Sequence, residues 1–306
     1  MAQAWCVAAF VLLGALGGCR GDGGTSGRAP GPDAGSASAG FPLVATDDLG
    51  HRVELLAEPH RIVALLPSHT ETLFALGIGD RVVGVDDFSD FPSEAGRLPR
   101  CGGLYDAHVE QIVALAPDLV LTSEFGPAAE RLTALGLHVW AGGASKLGDV
   151  FRIVAVVGHL TGRDAAAEAL AVRMHAEMDA VEIPLRDLPR VRVYYEIDAT
   201  PYSVGPDSFI GAMLARAGGE DIIPAALGDF PRISPELVIE RDPQVILGVT
   251  REEAARRPGW APISAVRAGR VDMLTPAERD LVTRPGPRLA QGLRVLARRL
   301  HPEVAP

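Results

Sequence analysis

HVEQIVALAPDLVLTS at residues 108–123 and SPELVIERDPQVILGV at 234–249 follow one plan: a glutamate early in a helical pattern, then a proline, then an apolar β run. The Glu-to-Pro spacing is seven in both, Glu110 to Pro117 and Glu236 to Pro243. A second echo precedes each stretch, TLFALGIGDRVVGV at 72–85 and AMLARAGGEDII at 212–223. A chain that repeats its own logic in this way is expected to form two similar lobes. Short β runs alternate with amphipathic segments, the pattern of an α/β fold with mainly parallel sheets. Residues 61–66 read as a buried strand ended by Pro67, and Ser68-His69-Thr70-Glu71 fits a capping box opening a helix to Leu76, with Gly77 as its stop. Further strands are expected at 81–85, 118–122 and 138–141. A helical tract from 147 to about 181 leads to Pro184 and Pro189. The expected organisation is an N-terminal lobe at 41–145, a connecting helical backbone at 146–186 and a C-terminal lobe at 187–306. Ligands of open α/β sheets bind at the carboxyl ends of strands, so the facing loops of two such lobes make a cleft.

The start of the chain reads differently. WCVAAFVLLGALGGC at 5–19 is an apolar run closing on Leu16-Gly17-Gly18-Cys19, the pattern of a lipoprotein export signal. Cleavage before Cys19 would remove residues 1–18 and leave the thiol to carry lipid, an anchor for a protein folded in water. The run is too short for the ~20 apolar residues that cross a bilayer. A signal cleaved from a soluble protein is the rival reading, and the absence of Lys or Arg before the run leaves open whether Met1 is the true start. RGDGGTSGRAPGPDAGSASAG at 20–40 has almost no large apolar side chain and reads as a flexible tether.

Composition excludes several classes. The formal net charge is −10 and no basic cluster is present, which argues against nucleic acid. Of three cysteines, Cys6 leaves with the signal and Cys19 carries lipid, so Cys101 is alone and neither a disulfide framework nor a cysteine metal site is expected. No catalytic motif stands up. Gly77, Gly79 and Gly84 follow a helix and precede a strand, the reverse of a phosphate cradle, Ser68 lies in no G-x-S-x-G elbow, and no H-E-x-x-H is present.

Taken in order, DDLGHRVEL (47–55), PHRIVALLPSHTETLFALGIGDRVVGVDDFSDFP (59–92), VEQIVALAPDLVL (109–121), GPDSFIGAMLARAGGEDI (205–222), ISPELVIERDPQVIL (233–247) and GWAPISAVRAGRVDML (259–274) are spread along the chain from 47 to 274. In them the chain resembles the helical-backbone class of substrate-binding proteins that serve ABC importers of cobalamin, haem and ferric siderophores. DFSDFP at 87–92 and RPGPRLAQGLRVLARRLHPE at 284–303 look most like the cobalamin-binding branch. The resemblance implies two lobes joined by a long helix, a ligand cleft between them and no enzymatic step. It also implies an importer permease and its ATPase as partners, a monomeric protein without a cofactor of its own, and an exported location held at the membrane by the lipid alone.

Candidate ligand contacts are Ser68 and His69 at an early strand end, Phe88, Tyr105 and Ser123 in loops of the first lobe, and Tyr202, Phe230, Asp280 and Arg284 in the second. Aromatic rings offer flat area at low entropic cost to a large planar ligand; Phe91 and Trp260 are weaker candidates, and any of these rings can instead fill a lobe core. Asp86, Asp87, Asp90, Asp229 and Asp280 outnumber the plausible cleft bases Arg251 and Arg284. A corrinoid with amide arms tolerates such a rim, whereas an anionic chelate needs compensating bases. Ferric siderophore and haem stay open as alternatives, as does a secreted enzyme on the same scaffold. Glu110 and Glu236 match the family's permease-docking glutamates, and a first-turn carboxylate also favours its own helix dipole.

Overall fold

The computed structural model describes residues 40–198 and 201–304. The export signal, Cys19 and the tether up to residue 39 lie outside the described residues. The chain opens with an antiparallel hairpin, β1 (Leu43–Thr46) and β2 (Arg52–Leu55). The first lobe then runs β3 (Ile62–Ala64), α1 (Pro67–Ala75), β4 (Val82–Val85), α2 (Val109–Ala114), β5 (Leu119–Thr122), α3 (Ala128–Ala134) and β6 (Val139–Ala141). Its four strands are parallel in the order β4-β3-β5-β6. Unbroken apolar runs such as Leu119-Val120-Leu121 suit strands covered on both faces, and all three residues are buried.

The connection is helical but not continuous: α4 (Leu147–Leu160) and α5 (Asp164–Glu182) are separated at Thr161-Gly162-Arg163, where Gly162 takes φ 68°. Such a left-handed residue ends a helix at little steric cost only when it is glycine.

The second lobe runs β7 (Val191–Asp198), β8 (Tyr202–Ser203), α6 (Phe209–Arg216), β9 (Gly219–Asp221), α7 (Pro235–Arg241), β10 (Val245–Leu247), α8 (Arg251–Arg256), α9 (Ser264–Arg267), β11 (Val271–Asp272), α10 (Pro276–Thr283) and α11 (Leu289–Leu300). β7 pairs in parallel with β9 on one side and β10 on the other, and β11 lies beyond β10. The winding is therefore the same in both lobes, with the first strand central, the second on one flank and the third and fourth on the other. β8 is an antiparallel addition to the far end of β7.

The repeat extends to single hydrogen bonds. Arg61 and Arg192 open the central strands, and each guanidinium reaches back to the carbonyl before a proline: Arg61 Nε to Ala116 O at 3.2 Å, Arg192 Nε to Asp242 O at 3.1 Å. The residue after each proline closes the unit, since Asp118 N donates to Arg61 O and Gln244 N to Arg192 O, both at 2.8 Å. Their side chains return the bond, Asp118 Oδ2 accepting from Arg61 N at 2.9 Å and Gln244 Oε1 from Arg192 N at 3.0 Å.

One apolar cluster runs through both lobes. It joins Ile62, Leu119 and Trp140 of the first lobe to Val150, Val154 and Val157 of α4, Leu170 and Met174 of α5, and Val193, Leu214 and Leu293 of the second. α4 packs on α1 of one lobe and α6 of the other, and α5 packs on α11. Two smaller clusters complete the lobes separately, one around Val120 and Ile112, the other around Ile246 and Trp260.

Candidate ligand cleft

A cavity of about 600 Å³ opens between the lobes, within the ~300–1,000 Å³ common for small-molecule sites. The first lobe supplies the residues that directly follow its strands: Leu66, Pro67 and Ser68 after β3, Ser123, Glu124 and Phe125 after β5, Gly143 to Ser145 after β6, and Leu104 from the loop ahead of α2. The second supplies Phe209 and Ile210 at the start of α6, Asp229 and Phe230 from the loop ahead of α7, and Thr283, Arg284 and Pro285 at the end of α10. The wall is mostly apolar. Local bonds hold it: Ser123 Oγ accepts from Phe125 N at 3.1 Å, and Ser208 Oγ caps α6 by accepting from Gly211 N at 3.0 Å.

Two cations border this cavity, and both are already paired. Lys146, which precedes α4, places Nζ 2.7 Å from Asp229 Oδ2 and 2.7 Å from Asp207 O. Arg284 donates Nη1 to Asp90 Oδ1 at 2.6 Å and Nη2 to Asp280 Oδ2 at 2.9 Å, with Glu71 Oε1 3.7 Å away. That bond to Arg284 holds the Asp90 carboxyl below its ordinary range. Arg288 completes the group, gripping both oxygens of Glu71, with Nε to Oε2 at 2.8 Å, and lying 4.0 Å over the Phe91 ring. The segment Arg284-Pro285-Gly286-Pro287-Arg288 thus straps the second lobe to α1 of the first.

Ser68, Ser123, Phe230 and Arg284 line the cavity. Phe88, Tyr105 and Tyr202 do not: they are exposed outside its wall, the first two on loops and Tyr202 in β8. Phe88 stands on a turn made by Asp86, whose carboxylate accepts from Phe88 N at 2.8 Å and from the Ser89 hydroxyl. Burial raises the Asp86 carboxyl despite those bonds; Asp86 shapes its loop and is not part of the cavity wall. Asp280 reaches the site only through Arg284.

Several expectations are corrected. His69 has no exposed surface; its ring packs 5.8 Å from Trp140 in the core, and neither nitrogen makes a well-formed hydrogen bond, although the backbone of Gly142 and Leu121 lies close enough to interact with it. Burial lowers its pKa to about 4, so it is neutral. The capping box at 68–71 does not form, because Pro67 already occupies the first turn and Leu66 is the N-cap residue, without a side-chain bond. Glu71 is instead the buried partner of Arg288. Arg251 points away, donating Nε to Val271 O at 3.3 Å on the outer side of the second lobe. Trp260 is core, stacked under Arg257 at 4.5 Å and edge-on to Tyr194.

Phe209, Ile210 and Pro285 are wall residues that sequence reasoning missed, and Phe125, a strand-end aromatic of the first lobe legible in the sequence but not among the candidate contacts, joins them. Their signal was position, immediately after a strand end or at a helix terminus facing the cleft. Glu110 and Glu236 are exposed in the first turns of α2 and α7, at equivalent places in the repeat, and carry no ion pair among the described residues. No group of three His, Cys, Asp or Glu is placed to hold a metal among the described residues.

Residues 62–277 match the periplasmic binding protein family. The chain is 30% identical over 278 residues to the ABC transporter substrate-binding lipoprotein YvrC of Bacillus subtilis, covering 86% of this chain and 87% of that one. It is 32% identical over 292 residues to a cobalamin-binding protein of Halobacterium salinarum, with 89% and 79% covered. Among solved structures it is similar to the periplasmic heme-binding protein RhuT from Roseiflexus sp. RS-1, with TM-score 0.69 and 27% identity over 78% of this chain and 98% of that one. The chain belongs to the periplasmic binding protein family and is the substrate-binding component of an ABC transporter, not an enzyme.

Proposed function

We propose that the protein captures a corrinoid, a cobalamin-like ligand with amide arms, in the inter-lobe cleft and delivers it to a membrane permease. The observation that carries this reading is an apolar, phenylalanine-bearing cleft whose two bordering cations are both neutralised by aspartates. A flat ligand with apolar faces and little net charge suits such a wall, and a strongly anionic chelate does not. The cobalamin-binding relative at 32% identity supports the same choice.

A thermal-shift panel of cyanocobalamin, dicyanocobinamide, haem and a ferric hydroxamate tests it. Stabilisation by the corrinoids is expected, about 2.7 kcal/mol at a hundredfold excess over Kd. A response only to haem or to the siderophore overturns the ligand and leaves the family intact.

The reading includes two further parts. Cys19 carries a lipid that holds the protein at the membrane, and Cys19→Ser releases it to the soluble fraction with an unchanged fold. Glu110 and Glu236 dock the two lobes on the permease, where arginine forks would grip exposed carboxylates from opposite lobes. A protein delivering its ligand this way works as a monomer.

A further inference from the structure

We propose that Asp90 is an internal counter-ion that sets the charge selectivity of the cleft by occupying the one arginine in its wall. The inference rests on the corrinoid reading for the identity of the ring, but concerns charge alone. Among the described residues Arg284 is the only arginine lining the cavity, and both terminal nitrogens are engaged: Asp280 from the preceding turn of its own helix holds one, and Asp90 across the cleft holds the other, with buried Glu71 3.7 Å behind it. The two aspartates differ. Asp280 travels with Arg284, whereas Asp90 comes from the opposite lobe and is 63% exposed at its side chain, so an entering anion competes with Asp90.

That competition is unequal. Asp90 is tethered beside the guanidinium at an effective concentration of order millimolar or more, while a ligand carboxylate arrives from dilute solution and must shed its water. Lys146 gives it no alternative, since Asp229 and the Asp207 carbonyl hold its ammonium. Glu124, also in the wall, repels it further. An amide arm meets no such penalty, because it needs no cation. Asp90 lies outside the cavity wall, so it discriminates without touching the ligand.

The experiment uses a matched pair that shares the corrin ring: dicyanocobinamide, with amide arms, and dicyanocobyrinic acid, with carboxylates. Affinities are measured by titration for the wild type, Asp90→Asn, Asp90→Ser, and Asp90→Asn with Arg284→Gln. In both single variants the ratio of carboxylate-ring to amide-ring affinity is expected to rise at least tenfold, and the double variant is expected to lose that gain. An unchanged ratio in the single variants overturns the proposal. A gain that persists without Arg284 also overturns it, since it would then reflect diffuse charge alone.

If the wild type binds neither corrin, the corrinoid reading fails separately. The same variants are then scored on haem against haem dimethyl ester, with the same tenfold criterion deciding for or against Asp90.

Discussion

Ala116 and Asp242 adopt the same left-handed backbone, φ 44° and 45°, each one residue before the proline of its repeat, and among the described residues no other non-glycine has positive φ. In both lobes an arginine from the central strand bonds the carbonyl of this strained residue. The strain is held in place by tertiary contacts rather than by local preference.

The two positions should respond differently to glycine. Ala116→Gly relieves a left-handed alanine and is expected to stabilise the protein by about 0.5–1 kcal/mol, less than the full strain because glycine loses more entropy on folding. Asp242 has a second task, since its carboxylate accepts from Ser264 N and Ser264 Oγ, both at 2.7 Å. Asp242→Gly is therefore expected to cost on the order of 1 kcal/mol. Urea unfolding of both variants measures the pair, and an equal sign of effect would show that the repeats are not energetically divided in this way.

Arg288 should matter more than a surface arginine. Its partner Glu71 has only 3% of its side chain exposed, and removing one half of a buried pair costs roughly 3 kcal/mol or more because the other charge stays buried. Arg288→Met should lose about that much in denaturant unfolding. Arg288→Met with Glu71→Gln should recover much of the loss. Strict additivity of the two changes would mean that the strap does not bind the lobes through this pair.

Acid stability should depend on two groups of opposite sign. Burial lowers His69 to about 4, below its ordinary 6.5, so the unfolded chain takes the proton first and stability falls as pH drops through that window. Burial raises Asp221 to about 7, above its ordinary 3.8, so the folded chain takes the proton first and stability rises as pH drops from 7 to about 4. The two effects are of the same order, about 3–4 kcal/mol each at the conversion of 1.36 per unit, and they oppose each other. Relative to wild type, His69→Gln should therefore gain stability on acidification and Asp221→Asn should lose it. Melting scans between pH 4 and 7 read the two slopes, and slopes of the same sign would refute the assignment.

Capture and delivery should separate by mutation. Glu110→Ala with Glu236→Ala is expected to leave ligand affinity within twofold and to abolish uptake in cells. Phe125→Ala and Phe230→Ala should each weaken capture by about fivefold or more, from lost aromatic contact worth about 1 kcal/mol. Normal uptake by the double glutamate variant would return Glu110 and Glu236 to helix-end stabilisation.

The fold was legible where local chemistry decides it. Period and spacing placed β3 to β6 within a residue or two, and the matched Glu-to-Pro spacing marked a repeat that the structure carries down to Arg61 and Arg192. The winding of the strands was not readable, because it is set by non-local pairing. The site was only partly legible. Ser68, Ser123 and Arg284 follow strand or helix ends, and that rule located them in the wall, while Phe230 was legible as an aromatic in the loop ahead of α7. His69 misled because α1 turns successive residues to different sides, sending Ser68 to the cleft and His69 to Trp140. Glu71 misled because S-x-x-E is a local pattern, whereas its partner Arg288 lies 217 residues away and is invisible to any local reading.

The apolar cluster that passes through α4 has a consequence for the independence of the halves. Each lobe repeats the other's winding, yet neither owns the buried face of α4, which α1 and α6 divide between them. A chain cut after residue 146 would leave the first lobe with Ile62, Leu119 and Trp140 facing water. The two halves therefore share one core, so loosening one is expected to loosen the other, and a ligand seated between them should steady both at once.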